Sequence, residues 1–277
     1  MEKRLIAQGP KNRQSYTVTL PLEWIKQQGL DKTKLVDLEI VGSKAIINIT
    51  KEEQETKFID GDKAENALMK ILQSAYRLGI NELNIKYSKP GIRKYVTDIV
   101  DTKLIGYEII EHSKGRLKIK DITKESSEEF KIVLRRIFLL LIEMAGSPKE
   151  VDESDKNLKK LTNYCQRLLI KKGHLNHKKV PFYYMLLDQI EKLSDEYVWL
   201  YSSKVKNHNI LKQLNRYLNE TYEIFYKFNL EKFNKTQHDT FLLKRKLTGK
   251  GNIHMHNIAR QLNTILGTVL IINFENV

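Results

Sequence analysis

The sequence predicts an α+β chain in three parts: a β-rich unit over residues 1–52, a small α/β layer over 53–123, and an antiparallel helical bundle over 124–277. Three observations carry this. In the first part, apolar residues alternate with polar ones between Pro and Gly turn signals. In the second, amphipathic helical stretches alternate with short strand-like runs. From Ser126 onward only helical spacing remains, in long stretches with short breaks.

The elements follow in order. Arg4–Gln8 reads as a first strand. Tyr16, Val18 and Leu20 alternate with Ser15, Thr17 and Thr19, giving a second strand with one apolar face. Pro21 ends it and suits the first position of a two-turn helix, where its missing N–H costs nothing. That helix carries Trp24 and Ile25 inward and stops at Gly29. Leu35–Val41 and Lys44–Ile49 flank Gly42-Ser43, the pattern of a tight hairpin. A β-β-α-β-β unit this small buries little surface and leaves strand edges unpaired, so it is expected to dimerise and share strands.

In the second part, Asp62–Gly79 reads as one helix with Ala67, Ile71, Leu72, Ala75 and Leu78 on its apolar face. Glu82–Tyr87 follows as a strand, Gly91–Gly106 as a helix, and two strands flank Ser113-Lys114-Gly115. In the third part, Ser126 and Glu129 offer a capping box. Helices are then expected near 127–146, 150–172, 180–204, 207–233, 236–247 and 254–273. Breaks fall at Gly146-Ser147-Pro148, in the stretch 171–181, and at 248–252.

The chain has 277 residues, is 41% apolar and 30% charged, and carries a net charge of +14. That is a globular composition whose basic excess suggests a polyanionic partner. Residues 202–261 hold twelve basic and four acidic side chains, a net +8, whereas residues 1–52 hold +3. A single cysteine, Cys165, excludes an intrachain disulfide and fits a reducing cytoplasm. The first residues lack the apolar core of a signal peptide, and no apolar run approaches the roughly 20 residues of a membrane span, so no membrane insertion is expected.

The stretches RLIAQGPKNRQSYTVTLPLEWIKQQGL and VDLEIVGSKAIINI together resemble the AbrB/MazE-type (SpoVT-AbrB) swapped-hairpin DNA-binding domain. The strand ending in TLP, the EW helix ending at GL, and the closing hairpin carry the likeness. Further on, DESDKNLKKLTNYCQRLL and MLLDQIEKLSDEYVWLYS resemble the PhoU family, whose three-helix repeats carry acidic motifs. The combined order is similar to archaeal regulators that fuse the two. The resemblance implies a homodimeric, double-stranded-DNA-binding transcription regulator linked to phosphate uptake, not an enzyme. It also leaves open a signalling adaptor that docks on a phosphate-transport ATPase or a signalling protein.

Three sets of candidate site residues follow. Lys3, Arg4, Lys11, Asn12 and Arg13 flank or form the loop between the first two strands. Such side chains can clamp phosphates and read base edges, and the resemblance implies DNA contact there. Glu191 and Asp195, four apart, share a helical face and can share a cation, and the PhoU likeness implies a divalent metal on the bundle. Aligning the other repeat on KKL, however, places Asp155 and Lys159 at the matching positions, with an ammonium where a ligand would stand. Finally, Lys244, Arg245, Lys246 and Lys250 cluster near two glycines, with Tyr201, Tyr217, Tyr222, Phe225, Tyr226, Phe228 and Phe233 in the neighbouring sequence. This points to a polyanion contact and, as an alternative function, a general nucleic-acid or ribonucleoprotein-binding protein using the 202–261 segment. His254 and His256 sit two apart and face apart on a helix, and Cys165 shares the spacing of Leu161, Leu168 and Leu169. Neither set suggests chemistry.

Overall fold

The computed structural model describes residues 3–41, 44–48, 55–123, 129–172, 176–203, 207–248 and 253–277. The Gly42-Ser43 turn, the Ser126 end of the expected capping box, the centres of the breaks at 173–175 and 249–252, and Lys250 lie outside the described residues. The architecture is α+β, with a C-terminal helical bundle. The chain divides into two compact units, Met1–Glu53 and Gln54–Val277.

In the first unit, β1 (Ile6–Gln8) pairs antiparallel with β2 (Ser15–Thr17), and Ile6 stands opposite Thr17. Helices α1 (Leu22–Gln27) and α2 (Leu30–Thr33) follow, then the antiparallel pair β3 (Asp37–Val41) and β4 (Lys44–Asn48). Gly29 adopts φ +66°, which ends α1 in the left-handed region that glycine takes without a Cβ penalty. Pro21 lies one position earlier than expected: it is the extended residue before the helix, and its carbonyl accepts from the Ile25 N–H.

The second unit opens with β5 (Thr56–Asp60), a strand the patterning does not reveal. After it come α3 (Gly61–Ala64), a short 3-10 turn, α4 (Leu68–Arg77), β6 (Glu82–Lys86), α5 (Pro90–Lys103), β7 (Tyr107–Ser113) and β8 (Arg116–Asp121). The sheet order is β5-β6-β8-β7, with β5 and β6 parallel and the other pairs antiparallel. The single helix expected over 62–79 is broken, because Glu65 takes φ +39°. Its buried face also differs: Leu68, Leu72 and Tyr76 are in the core, while Leu78 and Ile71 are exposed. Spacing by four keeps the buried three on one stripe, whereas Leu78 lies past the end of the helix. This stripe, with Val96, Ile99 and Val100 of α5, shares a core with Leu83, Ile85, Leu117 and Ile119 of the sheet.

The bundle comprises α6 (Glu129–Gly146), α7 (Val151–Lys172), α8 (Val180–Ser202), α9 (His208–Tyr226), α10 (Leu230–Leu247) and α11 (Ile253–Ile272). Helices α6, α7 and α8 pack on one another, as do α9, α10 and α11. The two triplets join where α8 meets α11 and α6 meets α9. The helix expected over 207–233 stops at Tyr226 instead. Asn229 starts the next one, its side chain accepting from the Lys232 N–H at 2.8 Å. Among the described residues, no helix is long and apolar enough to cross a membrane.

Candidate functional site

The loop between β1 and β2 is built by a tight turn. The Arg13 N–H donates to the Pro10 carbonyl at 2.8 Å, and Gly9 sits at φ +94°. A Cβ on Gly9 would stand 2.8 Å from the Arg13 carbonyl oxygen, so the turn requires glycine. Lys11, Asn12 and Arg13 of this turn are exposed, and Lys3 and Arg4 are exposed beside it. Among the described residues, none of the four cations has an acidic partner.

The same unit leaves most of its described apolar side chains exposed, with Leu20, Trp24 and Ile25 half-buried. Leu30, at 4% exposure, is its one buried hydrophobic residue among those described, while Tyr16 is 62% and Ile40 67% exposed. Leu5, Ile6, Leu35 and Leu38 are exposed too. Two two-stranded sheets with a single buried leucine do not make a stable core in water.

The carboxylates of the bundle meet a cation already in the chain. Lys159 Nζ on α7 lies 2.7 Å from Asp155 Oδ2 and 2.6 Å from Asp195 Oδ1 on α8. The Ser194 hydroxyl donates to Asp155 Oδ1 at 2.8 Å. Glu191 faces elsewhere, towards Arg77 of α4 at 3.4 Å. Burial alone would pull the Lys159 ammonium down, but its hydrogen bonds to Asp155 and Asp195 outweigh this and hold it above the usual lysine range. Burial pushes the Glu191 carboxyl up, and the long contact to Arg77 does not offset it.

The expected pairing of Glu191 with Asp195 around a divalent metal meets an arrangement in which each carboxylate already has a basic partner. Lys159 bridges Asp195 to Asp155, while Glu191 is held by Arg77. Among the described residues, no group of three or more metal-ligating side chains could hold one. We therefore expect millimolar Mg²⁺ or Mn²⁺ to leave the thermal midpoint of the chain unmoved. Lys159→Ala should cost about 2 kcal/mol, because it strips a charge-assisted partner from two half-buried carboxylates. Since the folded lysine pKa is raised, this contribution is intact below the unfolded value of about 10.4 and fades as pH rises above it. Thermal melts with and without metal, and at pH 8 and 11, check both statements.

The late basic cluster is more ordinary than its charge suggests. Lys244, Arg245 and Lys246 occupy the last turn of α10, where cations complement the helix dipole. Lys244 and Arg245 sit over the Phe241 ring, 4.8 and 5.8 Å from its centroid. Arg216 pairs with Glu220, and Lys232 with Glu223. Tyr217, Phe225 and Phe233 are buried, and Tyr201, Tyr222 and Phe228 pack against the same core. These rings are not a stacking platform; Tyr226, the most exposed of them, packs on Phe138 and Tyr222.

Cys165 is buried, with its thiol directed at the Phe130 carbonyl and its pKa pushed up by burial. His254 pairs with Glu196 at 2.9 Å and His256 with the Lys244 carbonyl at 3.1 Å, each on a different neighbour.

One buried ionic centre carries no sequence signal. Arg167 of α7 is fully buried, its guanidinium 2.5 Å from Asp121 Oδ2 at the end of β8 and donating to the Tyr76 carbonyl at 2.7 Å. It stacks on Tyr76 and Tyr107, whose rings meet edge to face. Lys171 reaches the same Asp121 oxygen at 3.1 Å. Within the second unit, this cluster ties the α/β sheet to the bundle.

No family model matches the chain, and no curated protein or solved structure matches it.

Proposed function

We propose that the chain is a dimeric DNA-binding transcription regulator whose N-terminal unit contacts the duplex and whose helical bundle receives the signal. One observation carries this reading. The Met1–Glu53 unit exposes both a set of unpaired cations on a built turn and most of its apolar side chains. A second copy sharing strands would cover the apolar residues. The two copies of the Lys11–Asn12–Arg13 loop would then serve one duplex, with lysine and arginine neutralising phosphates and Asn12 and Arg13 able to reach base edges.

The grouping of the bundle into two helical triplets agrees with the resemblance to PhoU-type repeats, and the link to phosphate uptake rests on that resemblance. Lys159 already engages Asp155 and Asp195, so this reading does not rest on metal sensing by those carboxylates.

Arg13→Ala tests the contact. In a dimer the variant removes two phosphate contacts, so the slope of log affinity against log salt should fall by about 1.8. Fluorescence anisotropy on a random duplex between 50 and 300 mM salt reads it. An unchanged slope and affinity would remove Arg13 from the interface.

A further inference from the structure

The open face of the α/β sheet is built differently from an ordinary solvated sheet face. It forms a depression of about 870 Å³, a size typical of small-molecule sites. At one end lies Phe58, a large aromatic side chain that is 82% exposed on the edge strand β5. Asn84 of β6 stands directly opposite it, and Lys118 of β8 opposite Asn84. A bulge in β7 between Ile109 and Glu111 inserts Ile110, which is exposed and adds a second apolar wall.

At the other end the charges are unevenly spent. Lys86 pairs with Asp60 at 3.2 Å and Lys118 with Glu82 at 3.2 Å. Arg116 and His112 line the same depression and, among the described residues, have no acidic partner; the Glu111 carboxylate also lines it. A second depression shares His112 and Ser113 and continues past the carboxyl end of β6, adding Arg93, Lys114 and Ser88. No carboxylate lines it.

We propose that this face binds a nucleoside phosphate. The base stacks on Phe58, the Asn84 carboxamide meets its polar edge, and the phosphates reach Arg116 and His112 and then Arg93 and Lys114, with Ile110 forming the far apolar wall of the depression. Spacing supports the assignment. Arg116 lies two strands over and two residues along from Phe58, which at strand spacings of about 4.8 Å and rises of about 3.4 Å is roughly 12 Å between backbones. A mononucleotide covers that span, and inorganic phosphate does not. The base site lies at mid-strand on the sheet face, and the phosphate end lies past the carboxyl end of β6, the end at which open α/β sheets hold ligands.

The full chain titrated with ATP, AMP, adenosine and inorganic phosphate by calorimetry tests this. We expect one saturable site per chain for ATP, tighter than for adenosine or phosphate alone. Phe58→Ala should weaken it about 5- to 100-fold, Phe58→Trp should restore it, and Arg116→Ala should weaken it about ten-fold or more. Both side chains are exposed, and circular dichroism confirms that the variants fold. The proposal is overturned by absence of saturable binding of ATP and GTP at millimolar concentration, or by equal affinity in Phe58→Ala. It is also overturned if a single-stranded oligonucleotide binds more tightly than ATP in a Phe58-dependent way, which would make the face a nucleic-acid platform. Arg13→Ala should leave nucleotide affinity unchanged, so failure of the DNA-binding reading and failure of this one are read separately.

Discussion

Asp121→Asn should destabilise the Gln54–Val277 unit by about 3 to 5 kcal/mol, the largest stability loss expected from a single exchange in this chain. The replacement is nearly isosteric, so packing barely changes. What changes is charge. The Arg167 side chain is 0% and that of Asp121 2% exposed, and the exchange removes the carboxylate that lies 2.5 Å from the buried guanidinium. Arg167→Met should cost less, because Asp121 keeps Lys171 and the hydroxyl and N–H of Thr123. The double variant should recover much of the loss, since neither buried charge then remains unpaired. Urea denaturation of the four proteins closes this cycle. Strictly additive losses would show that the pair does not act as a unit.

The same centre sets an acid limit. Burial alone would raise the Asp121 carboxyl, but hydrogen bonds from Thr123 and Arg167 hold it below the usual carboxylate range. Its folded pKa being depressed, its contribution is complete above the unfolded value of about 3.9 and is lost as pH falls through the folded one. The Asp121→Asn variant, lacking this group, should therefore show a shallower loss of stability below pH 4.

This centre also marks the limit of what the sequence shows. Arg167 stands beside Cys165, Leu168 and Leu169 on a helix whose apolar face is evident, yet nothing local assigns it a partner 46 residues away on a strand. Strand β5 escaped notice for another reason. In TKFID the two apolar residues are adjacent, and the one facing outward, Phe58, is the exposed one, so no alternation appears. The helix end at Tyr226 was hidden because Phe225, Phe228 and Phe233 continue an apolar rhythm across it; Asn229 was the readable signal. By contrast, the loop between β1 and β2 and the lysine at position 159 are both legible, because a break between two short strands or a wrong charge in a pattern needs no tertiary information.

Removing residues 1–53 should cost duplex binding about 100-fold or more at 100 mM salt, and several units of salt slope. Four unpaired cations per chain, doubled in a dimer, offer up to eight phosphate contacts at about 0.9 slope units each. The remaining unit has its own extensive core, spanning the sheet and both helical triplets, so the truncated chain keeps its fold. The net +8 of residues 202–261 competes with this expectation. Much of that charge is already engaged, with Arg216 and Lys232 in ion pairs and Lys244–Lys246 in the negative end of α10. A truncated chain that keeps its slope would show that those late helices hold the polyanion, and that the exposed apolar strands of the N-terminal unit serve assembly alone. A truncated chain that loses the slope assigns the DNA to the Gly9–Gln14 loop. The modest +3 of that segment would then suffice because its cations are unpaired and presented twice.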